Sequence, residues 1–168
     1  MPFGTVLRIK LSIPNATTPP VVDSITTIGS GFPERTDPAA LVIGPTGVGL
    51  GSDGTLYVAD TLSNRIAAIP DAVGRTGSAG IGMTVSGGGA LNGPLGLAIA
   101  PNGNILTTNA GDGNMVETTP AGDQVTVKPV DVTNTVGGGT LFGLAISSGR
   151  NGVFFVNDGN NTLDWLHR

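Results

Sequence analysis

The chain contains no cysteine. Disulfides, thiol catalysis and thiolate metal sites are therefore excluded. Charge is scarce as well: 12% of residues are charged, about half the usual share of ~25%. Glutamate occurs only at Glu34 and Glu117, and lysine only at Lys10 and Lys128. Soluble helices draw heavily on Ala, Leu, Glu and Lys, so this composition argues against a helical framework. His167 is the sole histidine, which leaves zinc short of ligands. No apolar run approaches the ~18 residues of a membrane-spanning helix. The net charge is −4 and no Lys/Arg stripe is present. Nucleic acid and anionic membrane surfaces are poor partners for such a chain. The opening segment MPFGTVLRIKLSIPN lacks a charged region followed by an apolar one. It does not read as an export signal, so the chain as written is expected in the cytoplasm.

Glycine is abundant, at 28 of 168 residues, and hydrophobic residues make up 39%. The hydrophobic share argues against disorder. The glycines follow no three-residue period, which excludes collagen. What remains is a turn-rich all-β chain of single-domain length. Three segments align with one another: Pro45 to Pro70, Pro94 to Pro120 and Leu141 to His167. Their anchor glycines Gly47, Gly96 and Gly143 lie 49 and 47 residues apart. That period falls in the range of a propeller blade, roughly 40–50 residues.

Each unit reads alike. A short apolar strand follows the anchor glycine, then a Gly-containing turn, a second strand, an Asp/Asn/Gly turn and a third strand. Fourth strands are expected near Ile81 to Val85 and Gln124 to Val130. Four antiparallel strands make a β-propeller blade. The expected layout is a single domain over 1–168, with closing strands in 1–30, blades over 45–93 and 94–140, and a partial blade over 141–168. The N-terminal runs Thr5 to Ile13 and Val22 to Ile28 resemble a third and a fourth strand, whereas the last unit stops after its third. About three blades cannot close a ring, since rings hold about four to eight. A homodimer of six blades is the expected solution, with the N-terminal strand of one copy completing the last blade of the other.

These units resemble NHL repeats. The resemblance rests on Asp53-Gly54, on Leu56-Tyr57-Val58-Ala59-Asp60 and on Asn64-Arg65-Ile66. Looser copies follow at Asn102-Gly103-Asn104 with Asn109, and at Asn151-Gly152 with Asp158. The match runs from about residue 45 onward and resembles the C-terminal half of a bacterial NHL-repeat protein. Neighbouring six-bladed families include calcium-dependent lactonases similar to gluconolactonases and paraoxonases. That resemblance implies an axial Ca²⁺ held by Asp, Asn and Glu, acting on lactones or esters, with N-acyl-homoserine lactones among them.

The loops between second and third strands are rich in oxygen. Asp60, Asp112 and Asp158 are the candidate ligands or bases, supported by Asn64, Asn109 and Asn161. Calcium favours such hard oxygens. Tight turns favour the same residues, because Asp and Asn bond to their own backbone and tolerate left-handed φ. In gluconolactonase-like enzymes several ligands precede the inner-strand glycine, and here those positions are Thr46, Leu95 and Phe142. Only the first is polar; the other two would form an apolar wall for a substrate. No G-x-S-x-G elbow occurs, so serine hydrolysis is disfavoured. The runs Gly87-Gly88-Gly89 and Gly137-Gly138-Gly139 lack a following helix and Lys, and read as loops before inner strands. Two functions remain open: a calcium-dependent lactone hydrolase, the sharper expectation, and a non-catalytic propeller binding a peptide, sugar or protein.

Overall fold

A computed structural model describes residues 3–38, 41–132, 141–149 and 151–167. The described chain is all-β and carries no helix. An N-terminal hairpin pairs β1 (Phe3–Ser12) with β2 (Val21–Pro33). A short hairpin follows, β3 (Arg35–Asp37) with β4 (Leu41–Ile43), which the repeat pattern does not announce. The first full sheet orders β5 (Pro45–Leu50), β6 (Leu56–Asp60), β7 (Arg65–Ile69) and β8 (Met83–Gly87). The second orders β9 (Pro94–Ile99), β10 (Ile105–Asn109), β11 (Asn114–Thr118) and β12 (Gln124–Pro129). The third has three strands, β13 (Leu141–Ile146), β14 (Gly152–Asn157) and β15 (Thr162–His167). All pairings are antiparallel. The architecture is a partial β-propeller.

Burial explains the strand composition. All five residues of β7 are buried, because both of its faces meet a neighbouring sheet. Strands covered on both sides read as continuous apolar runs rather than alternating ones. One cluster joins Tyr57, Ala59 and Ile66 of the first sheet to Leu97, Ile105 and Val116 of the second. Another joins Val6, Ile28 and Phe32 of the hairpin to Val58, Ala67 and Ile69. A third joins Met115 to Leu141, Val153 and Phe155.

The anchor glycines let inner strands touch. A Cβ on Gly47 would strike the backbone of Leu95, Gly96 and Leu97, and one on Gly96 would strike the Phe142 carbonyl. Each glycine therefore admits the next sheet. The glycines 137–139 and the end of the expected 94–140 unit lie outside the described residues.

Candidate functional site

Asp60 ends β6 and sits opposite Arg65, the first residue of β7. Its Oδ2 accepts from Arg65 Nε at 2.8 Å, and both side chains are buried. Arg65 also donates to Thr84 Oγ1 and to the Ile81 carbonyl, and its guanidinium lies 5.9 Å from the centre of the Phe32 ring. A guanidinium at this carboxylate supplies the positive charge that a cation would otherwise bring.

Asn64, Asn109 and Asp112 come together around the loop that enters β9. Asn64 takes a left-handed φ of 50°, as its turn requires. It donates to the Leu91 carbonyl at 2.8 Å and accepts from Gly93 N–H at 2.8 Å. Asn109 donates to the Ala90 carbonyl at 2.8 Å and to Asp112 Oδ1 at 3.1 Å. Asp112 also receives the Asn114 N–H and the Asn92 amide. These groups clamp one loop to two sheets.

Asp158 and Asn161 lie elsewhere, exposed in the turn between β14 and β15, where Asn161 has a φ of 58°. A calcium ion takes about six to eight oxygens. The six candidates instead divide among an ion pair, a loop clamp and an exposed turn. Among the described residues, no three His, Asp or Glu side chains gather as a metal site. The set therefore does not fit a calcium ion as it stands. Two oxygens remain notable. Asp60 Oδ1 and Asn109 Oδ1, at matching ends of β6 and β10, are buried without a hydrogen-bond partner.

Thr46, Leu95 and Phe142 do come together. They line a groove of about 430 Å³ that runs across the inner strands β5, β9 and β13, with Gly47, Gly96 and Gly143 between them. Their polar groups are spent on stitching the sheets. Thr46 Oγ1 donates to the Leu95 carbonyl at 2.8 Å. Thr108 Oγ1 donates to the Phe142 carbonyl at 3.1 Å and accepts from Gly96 N–H at 3.1 Å. The carbonyls before Gly96 and Gly143 thus each accept a threonine hydroxyl from the preceding sheet.

A cleft of about 780 Å³ is one the motifs do not mark. It opens between the second and third sheets. Leu106, Met115, Ile146, Val153 and Leu166 form its apolar lining, with Glu117, Lys128 and His167 adding polar groups. Asn104 and Asn102 donate to Glu117 Oε1 at 2.6 and 3.1 Å. These bonds, the Asn104 bond first, hold the Glu117 carboxyl below the ordinary range. The one available sequence signal is rarity: Glu117 and Lys128 account for half of the chain's glutamates and lysines.

No protein-family model matches the chain. No curated protein matches it either. Solved structures do. A catalytically inactive virginiamycin B lyase from Staphylococcus aureus with quinupristin is 14% identical at a TM-score of 0.54, covering 88% of this chain and 47% of its own. A streptogramin B lyase is 15% identical at 0.52, covering 74% and 41%. A calcium-binding regucalcin from Agrobacterium tumefaciens is 20% identical at 0.55, covering 79% and 40%. At these identities the likeness establishes the propeller fold alone. The matched part of the chain spans less than half the length of each of these structures.

Proposed function

We propose that the chain is part of a non-catalytic propeller that binds a polypeptide partner. The observation behind this reading is how the candidate ligands are used. Asp60, Asn64, Asn109 and Asp112 direct their side chains at an arginine or at one loop. Such bonds hold blades in place, and a residue committed to them is poorly placed to bind metal or move protons. Exposed apolar side chains such as Leu7, Ile9, Val48 and Leu163 suit a polypeptide better than a sugar. The axial groove of Leu95 and Phe142 is apolar as well. The test pairs calcium calorimetry with a chromogenic lactone assay, each with and without EDTA. No heat of calcium binding and no EDTA-sensitive turnover are expected. Stoichiometric binding with chelator-sensitive hydrolysis would overturn the reading.

A second reading has one structural observation in its favour. The partnerless Asp60 Oδ1 and Asn109 Oδ1 are hard oxygens at matching blade positions. They keep open a calcium-dependent hydrolase of lactones, N-acyl-homoserine lactones included, of the kind the NHL-like resemblance implies. The same two measurements decide between the readings.

A further inference from the structure

Three asparagines in the chain precede a glycine: Asn92-Gly93, Asn102-Gly103 and Asn151-Gly152. This pairing is chemically labile. The glycine amide nitrogen can attack the asparagine side-chain carbonyl, because no Cβ hinders its approach. The short tether makes the attack intramolecular, which favours it strongly. All three asparagines are exposed, so exposure does not rank them. What ranks them is whether the glycine N–H is already bound.

Two of the pairs are committed. Gly93 donates its N–H to Asn64 Oδ1 at 2.8 Å. Asn92 is held as well, since its Nδ2 donates to Asp112 Oδ2 at 3.3 Å and its main-chain carbonyl accepts the Gly111 N–H. Gly103 donates to the Ala100 carbonyl at 2.8 Å. Asn102 accepts the Asn104 N–H on Oδ1 at 3.0 Å and donates from Nδ2 to Glu117 Oε1 at 3.1 Å.

The third pair differs, and the internal repeat shows why. Each sheet closes its first hairpin with a bond of the same kind. Gly51 N–H meets the Thr55 carbonyl, Ala100 N–H the Asn104 carbonyl, and Ser147 N–H the Gly152 carbonyl. Thr55, Asn104 and Gly152 are therefore equivalent residues. In the first two sheets a side chain two places earlier takes the amide of that residue. Asp53 Oδ1 takes the Thr55 N–H and Asn102 Oδ1 takes the Asn104 N–H, both at 3.0 Å. Two places before Gly152 the sequence has an arginine, a side chain with no acceptor atom. The Gly152 N–H meets no turn acceptor among the described residues. Packing also requires glycine at this point: a Cβ would strike the Trp165 indole nitrogen and the Leu166 carbonyl.

We propose that Asn151 is a site of spontaneous deamidation. The Gly152 nitrogen attacks Cγ of Asn151 and the new C–N bond closes a succinimide. The Cγ–Nδ2 bond breaks, and the former amide leaves as ammonia with the proton from Gly152. Water then opens the ring. Addition at the side-chain carbonyl gives aspartate, and addition at the main-chain carbonyl gives isoaspartate, with Gly152 joined through Cγ. Overall a water is consumed and an ammonia released, with no other reactant. The product adds a negative charge to the cleft that Asn151 lines together with Lys128 and Glu117. Isoaspartate also lengthens the main chain by a carbon at the start of β14, where Gly152 pairs with His167. The enzyme class that would recognise this product is an isoaspartyl carboxyl methyltransferase.

The test holds the intact chain at neutral pH for days, in native buffer and in concentrated urea. Digestion under mildly acidic conditions suppresses further ring closure, and mass spectrometry then gives the acid fraction at each asparagine. In the folded chain Asn151 should deamidate at least about fivefold faster than Asn92 or Asn102, because a hydrogen bond must first break at each of those two. In urea the three rates should converge. An isoaspartyl methyltransferase with labelled S-adenosylmethionine should mark the Asn151 peptide of the native chain. Asn151→Gln, whose ring closes more slowly, should remove that mark. Equal rates in the folded chain would overturn the proposal. So would the same ranking in urea, which would trace the difference to local sequence and not to the fold.

Discussion

Arg65 donates from Nε to Asp60 Oδ2 at 2.8 Å across a tight turn, and both side chains are buried. Removing one member leaves the other charged and desolvated. Asp60→Ala should therefore destabilise the chain by about 3–5 kcal/mol. The double variant Asp60→Leu with Arg65→Met should recover part of that loss, because well-packed apolar residues can replace a buried pair. Urea unfolding of the three proteins measures the cycle. An Asp60→Ala cost below about 1 kcal/mol would show that the pair is a solvated contact.

The anchor glycines offer a contrast within one molecule. A methyl group on Gly96 would strike the Phe142 carbonyl and Thr108 Oγ1, whereas one on Gly143 meets no atom within 4 Å among the described residues. Gly96→Ala should cost at least about 1–3 kcal/mol through overpacking. Gly143→Ala should stay within about 0.5 kcal/mol in the isolated chain. Thermal unfolding compares them directly. Equal losses would mean that the two glycines serve backbone conformation and not the approach of a neighbouring sheet.

These relationships differ in how far the sequence discloses them. The repeat was readable because each unit carries an anchor glycine, a short apolar strand and an Asx-rich turn at a constant spacing. The fourth strands were readable as well, near the positions of β8 and β12. Even the Asp60–Arg65 pair leaves a trace. A carboxylate and a guanidinium that flank a four-residue turn face each other in a hairpin register. The oxygen-rich turn that follows it makes Asp60 read as a ligand instead. The Asn64 clamp was not legible, since its partner carbonyl lies 27 residues away on a loop without a motif. Nor was the cleft beside Glu117, which exists only where two sheets diverge. The β3–β4 hairpin was missed because three-residue strands carry no measurable alternation.

Glu117 gives the chain an acid-sensitive contact. Bonds from Asn104 and Asn102 favour its ionised form and lower its folded-state pKa. A depressed carboxyl contributes stability above its unfolded value, about 4.3. That contribution is lost as pH falls through the folded value. Melting temperatures measured from neutral pH into the acid range should fall more steeply for the native chain than for Glu117→Gln. Parallel curves would show that the two amides do not discriminate between charge states.

Calcium offers the sharpest separation of the two functional readings without an assumed substrate. A ligand that binds only the folded state stabilises it in proportion to the logarithm of its concentration over its dissociation constant. At about a hundredfold excess over that constant the gain is about 2.7 kcal/mol. A gain of that size would raise the melting temperature by several degrees in a chain of this length. The candidate oxygens are divided among the Arg65 pair, the 90–93 loop and an exposed turn. Millimolar calcium should therefore leave the melting temperature unchanged, and EDTA should do the same. A rise of several degrees that Asp60→Asn abolishes would place the ion at Asp60 Oδ1 and return the hydrolase to first place.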